Sequence, residues 1–136
     1  MMRPYVFLVL AACSASVQQD SPFSGPALMD VRGDQGNLVV EMRTAPSQPP
    51  TRGNASVELV VHDATTGAPV DGLSVVVVPW MPAHGHGTSV VPTIEGEGDG
   101  RYLVTNISFF MPGDWELRTS FSGSVTDRVA PSLEIP

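Results

Sequence analysis

Trp115-Glu116-Leu117-Arg118-Thr119-Ser120 alternates without a break: Trp115, Leu117 and Thr119 fall on one side of an extended chain, Glu116, Arg118 and Ser120 on the other. A period of two is the signature of a strand with one face buried, so Trp115 is expected to anchor a core. Val57-Glu58-Leu59-Val60-Val61-His62 repeats the pattern, with Val57, Leu59 and Val61 as the inward set. Outward from these runs, Val, Ile, Thr and aromatic residues gather in short stretches punctuated by Gly, Pro, Asn and Asp, which predicts an all-β domain. Strands are expected over residues 37–44, 55–62, 73–80, 89–95, 101–109, 115–122 and 124–133, and no stretch supports a helix. Seven such strands with turn residues between them predict an immunoglobulin-like β-sandwich. Val75-Val76-Val77-Val78 is apolar at every position, so that strand is expected to be central and covered on both faces. The connection 63–72 is built of turn-forming residues.

Two loops of this domain carry metal-ligating side chains. Trp80-Met81-Pro82-Ala83-His84-Gly85-His86-Gly87 holds two imidazoles and a thioether, and Phe110-Met111-Pro112-Gly113-Asp114-Trp115 repeats the Met-Pro step. If neighbouring strands run antiparallel, 73–80 and 101–109 finish on the same rim. Met81, His84, His86 and Met111 are then expected to converge there, with His62 at the opposite end. Proline holds the residue before it extended, which places each methionine at a strand tip. Thioether sulfur with imidazole nitrogen favours copper, and sulfur favours Cu(I) in particular. If the histidines act alone, Cu(II) and zinc suit them equally. In the competing reading, Met81 and Met111 plug the end of the core, a common use of methionine, and the histidines are solvated.

The amino terminus carries an address. Tyr5 to Ala12 is an uncharged apolar run, shorter than the roughly 20 residues that span a bilayer, and it reads as a signal segment. Leu10-Ala11-Ala12-Cys13 is a lipobox, so residues 1–12 are expected to be removed and Cys13 to become the lipidated first residue of a bacterial lipoprotein. Cys13 is the single cysteine. The chain is therefore without an internal disulfide, and a thiolate cage is ruled out. Residues 13–35, rich in Ser, Gln, Asp, Gly and Pro, are expected to form a flexible tether, and 36–136 the folded domain. The formal net charge of −7, with seven Arg or Lys against fourteen Asp or Glu, leaves no basic cluster for nucleic acid.

Asp63, Thr66-Gly67, Pro69-Val70, Met81-Pro82, His84-Gly85-His86-Gly87, Gly100-Arg101-Tyr102 and Phe110-Met111-Pro112-Gly113-Asp114-Trp115-Glu116-Leu117, in that order, resemble the YtkA-like family, which is related to the FixH-like proteins. The resemblance covers residues 36–122. It implies an exported or membrane-tethered β-sandwich, associated in FixH-like members with copper supply to respiratory oxidases. The chain departs from the FixH-like pattern in having a lipobox where those proteins have a transmembrane helix.

Two functions follow as expectations. One is a lipid-anchored cell-envelope protein, facing the periplasm or exterior, that holds copper and delivers it to a receiving protein. The other is a non-catalytic immunoglobulin-like module that contacts another envelope protein through the same rim. A weaker third is sugar binding by Trp80 through stacking. Nothing resembles a nucleophile elbow or another ordered catalytic signature, so an enzyme is not expected.

Overall fold

The computed structural model describes residues 21–136, and the signal segment and Cys13 lie outside them. Ten antiparallel strands form two facing sheets. The first sheet runs in the order β1 (Met29–Arg32), β2 (Leu38–Ala45), β3 (Gly53–Asp63), β7 (Arg101–Phe109), β6 (Thr93–Gly98). The second runs β10 (Ser132–Ile135), β8 (Gly113–Ser122), β4 (Ser74–Met81), β5 (His86–Gly87), with β9 (Asp127–Val129) also on β8. The described residues contain no helix.

The core fills the space between the sheets with the alternate side chains that the period of two selects. Leu38, Val40 and Met42 from β2, Val57, Leu59 and Val61 from β3, and Val104, Ile107 and Phe109 from β7 face Trp115, Leu117 and Phe121 from β8. Trp115 is fully buried at 0 % exposure, as its pattern requires. The Thr119 hydroxyl, carried into the same interior, donates to the Leu117 carbonyl at 3.1 Å, which satisfies a group that burial would otherwise strand.

The strands number ten rather than seven, the one expected over 89–95 runs Thr93–Gly98 after a short strand at His86–Gly87, and three further expectations are corrected. Residues 29–32, read as tether, form strand β1 on β2, and Phe23 is buried before it. The folded part therefore begins well ahead of residue 36, because its polar composition hides a short edge strand. The run 124–133 is two strands, since Pro131 has no N–H to give the ladder; only its carbonyl stays in register, accepting from Leu117 N at 3.0 Å. The third concerns β4. Val76 and Val78 are 55 % and 45 % exposed, so β4 is not covered on both faces, and it pairs with β8 along its length but with β5 only at Trp80 and Met81.

Two polar ties hold the ends of the sandwich. Tyr102 Oη accepts from Leu73 N at 3.1 Å and donates to the Val70 carbonyl at 2.8 Å, fastening the crossing from β3 to β4. At the turn between β1 and β2, the Asp127 carboxylate accepts four backbone N–H groups, from Gln35, Asn37, Leu38 and Arg128, at 2.8–3.0 Å. Gly33 lies so close that a Cβ there would collide with this carboxylate.

Candidate functional site

The rim where β4 and β7 finish is built by two loops. After Met81 the chain turns through Pro82-Ala83-His84-Gly85, with the N–H groups of His84 and Gly85 both donating to the Met81 carbonyl at 3.2 and 2.9 Å. Gly85 takes the left-handed conformation at φ 64°, which glycine adopts without penalty, and the chain returns as His86 opposite Met81. Directly opposed residues share a face of the sheet. Met81 points inward and is 1 % exposed, so His86 stands over the end of the core on that same face.

The imidazoles of His84 and His86 lie 5.6 Å apart between ring centroids, tilted by 32°. His84 is exposed and His86 half-buried. His86 Nδ1 lies 3.0 Å from the Gly87 carbonyl, and a carbonyl only accepts, so in the neutral ring Nδ1 carries the proton. Nε2 is left with its lone pair free. That hydrogen bond also orients the ring, as the outer partners of metal-binding histidines commonly do.

The second loop meets the first through Phe110. Its ring stacks on His86 at 6.1 Å and 24°, and stands edge-on to Trp115 at 5.5 Å and 80°. Trp115 Nε1 donates to the Met111 carbonyl at 3.0 Å, which fixes the loop at the strand end. Met111 is half-buried and packs against the core. Gly113, at φ 127°, passes so near Met81 that a Cβ there would sit 3.1 Å from the Met81 Cε. Thus the His84 and His86 rings lie side by side with Met81 across the ladder from His86, and the loop carrying Met111 reaches them through the Phe110 ring and Gly113. The two loops meet at one end because β4 is antiparallel to β8, the strand that follows Met111; β6 and β7 lie in the other sheet.

His62 lies at the far end of β3, bridged to Pro69, whereas the opposite end of that strand, Gly53, pairs with Phe109 at the rim. Its buried Nδ1 has no hydrogen-bond partner among the described residues. No group of three or more His, Cys, Asp or Glu capable of holding a metal occurs among the described residues; the donors at the rim are two imidazoles and two thioethers. An open groove of about 1010 Å³ lies elsewhere, lined by Phe23, Leu103 and Asn106 among others.

Sequence reasoning overlooked Phe110. In Phe109-Phe110 a period of two sends the first ring into the core and the second out, and Phe110 is 46 % exposed, so the signal was there. It also missed the Arg118 guanidinium, which stacks 4.7 Å over one face of the Trp80 ring.

The family model described as YtkA-like matches residues 34–120, a span that takes in both rim loops. No curated protein and no solved structure matches the chain.

Proposed function

Because the chain belongs to the YtkA-like family, we propose that it is a cell-envelope metal-binding protein that holds copper, or passes it on, through His84 and His86, with Met81 and Met111 as sulfur donors. The observation that carries this reading is the pair of imidazoles 5.6 Å apart, one of them held by the Gly87 carbonyl with Nε2 free. Imidazole and thioether are borderline and soft donors, which copper prefers over the harder divalent ions. The histidines stand at the surface and serve Cu(II) or Cu(I). Met81 lies beneath His86, so its sulfur would cap an ion from the core side, and that favours the reduced state.

The envelope location rests on the lipobox at Cys13, whose diacylglyceryl chains would anchor the domain to a membrane. A tethered metal carrier implies a receiving protein at the same surface. Acidic net charge and the absence of Lys keep nucleic acid out of this scheme.

The test is a titration of the protein with Cu(I), Cu(II) and Zn(II) in parallel, for the wild type and for the double variant His84→Ala, His86→Ala. Copper binding in the wild type and its loss in the double variant are expected. Unchanged copper affinity in the double variant would remove the metal function.

A further inference from the structure

The two sheets have four edges among the described residues, one of them shared by β9 and β10, and three are guarded. Edge β1 has four residues and exposes Asp30 and Arg32. Edge β6 carries Glu95 and Glu97, and its register shifts between Gly96 and Gly98. Edge β10 has Glu134 between Pro131 and Pro136. Charge, proline and bulges are the devices by which proteins keep sheet edges from pairing with other chains. The fourth edge, Ser74-Val75-Val76-Val77-Val78 of β4, has neither charge nor bulge; Pro79 guards only its far end, where β5 shields Trp80 and Met81.

The hydrogen-bonding groups on that edge can be assigned. Leu117, opposite Pro79, sends its N–H to Pro131 on the far side of β8. Thr119 and Phe121, opposite Val77 and Val75, likewise pair outward with β9. In an antiparallel ladder hydrogen-bonded and non-hydrogen-bonded pairs alternate. The N–H and C=O of Val75 and Val77 therefore point away from β8. Nothing among the described residues pairs with them.

We propose that this edge is closed by the same edge of a second copy of the chain, related by a two-fold axis through Val76. Antiparallel pairing about that axis sets Val75 of one copy against Val77 of the other, and each pair exchanges both hydrogen bonds. It brings Val76, 55 % exposed, beside its twin in a non-hydrogen-bonded pair, where side chains approach most closely, and Ser74 opposite Val78. Register is limited by what lies further along: Pro79 has no N–H to donate, and β5 occupies the edge beyond it. The contact strand carries no charge, so no like charges face one another directly across the axis, although each copy is acidic as a whole. A second copy fits because the edge is self-complementary, as a two-fold contact demands. So short an edge buries less than the roughly 1,200 Å² of a stable interface, and the association should depend on concentration.

The experiment is disulfide trapping of the full chain in membranes. In the proposed pair the two Val76 Cα atoms lie about 4.5 Å apart, within disulfide range. Val76→Cys should therefore yield a covalent dimer on mild oxidation. Wild type, which has only Cys13, should not, nor should Val91→Cys, at a position 78 % exposed. Val78→Cys should link only weakly, because its twin lies roughly 13 Å away along the strands. A cooperative urea melt of Val76→Cys checks its fold. Equal cross-linking of all three variants, or a monomeric Val76→Cys, overturns the proposal. So does a monomeric Val76→Cys shielded from maleimide, which assigns the edge to a different occupant.

Discussion

Replacing Asp127 by Asn removes a charge and almost no volume, so its effect isolates the carboxylate. Oδ1 accepts from Gln35 and Arg128, and Oδ2 from Asn37 and Leu38. Asn keeps one acceptor oxygen and turns an NH2 toward the other two amides, leaving them facing a donor. Hydrogen bonds to a charged acceptor contribute about 1.5–3 kcal/mol each, and stranded buried donors cost about as much. Losing two should destabilise the domain by about 3 kcal/mol, a large share of the roughly 5–15 kcal/mol available to a domain. The loss also has a pH signature. Burial raises the Asp127 pKa, but the four backbone N–H groups outweigh it and hold the carboxyl below 3.8. A depressed pKa gives stability that is present above the unfolded-state value and is lost as pH falls through the folded one. Urea melts of both proteins should show the full gap at neutral pH and a narrowing gap below about pH 4. A gap under about 1 kcal/mol, or one as wide at pH 3 as at pH 7, would refute the assignment of the turn's stability to this carboxylate.

Trp115→Ala should cost about 3–5 kcal/mol in the same melts, and a shift below about 1 kcal/mol would place the ring at the surface. Met81→Ala and Met111→Ala separate packing from ligation: both should weaken Cu(I) more than Cu(II), while only Met81→Ala, from a position 1 % exposed, should also lose about 2–5 kcal/mol of stability. Copper titration of His62→Ala should match the wild type, and a weakened site there would contradict the separation of the two ends. Cys13→Ser should release the protein or leave its signal segment uncleaved; fatty-acid labelling with membrane fractionation decides, and an unlabelled, soluble wild type would end the lipoprotein reading.

The fold was legible where burial is one-sided. Trp115, Leu117 and Thr119 announced their face because a two-sheet sandwich rewards alternation; Val57, Leu59 and Val61 do face the core, but Glu58 and Val60 on the other face of β3 are buried too, at 3 % and 7 % exposure. Where a strand is an edge, the code fails in both directions. Asp30 and Arg32 looked like tether because edge strands are polar outside, and Val76 and Val78 looked like core although they stand on the outer face of the sandwich, which no further layer covers. The end of the sandwich was legible but not the route to it: β4 changes sheet before β6 and β7, and 81 meets 111 because β4 is antiparallel to β8. Its chemistry was legible as residue types only. That Met81 would turn inward under His86 depends on the cross-strand pairing of a two-residue strand, and the lock on His86 Nδ1 depends on where the Gly87 carbonyl points. Neither is visible in spacing.

The ring contacts at the rim have an optical consequence. Trp115 stands one aromatic ring away from His86, through Phe110, and Trp80 pairs with Gly87, the next residue in the chain. These are the two tryptophans of the protein, so all of its indole emission originates beside the histidine loop. A paramagnetic ion held by His86 would darken both, and the indoles differ in setting: Trp115 is fully buried, while Trp80 lies under the Arg118 guanidinium. The domain thus carries its own light source at the rim, and occupancy of the loop can be followed in the unlabelled protein by the brightness and colour of its emission.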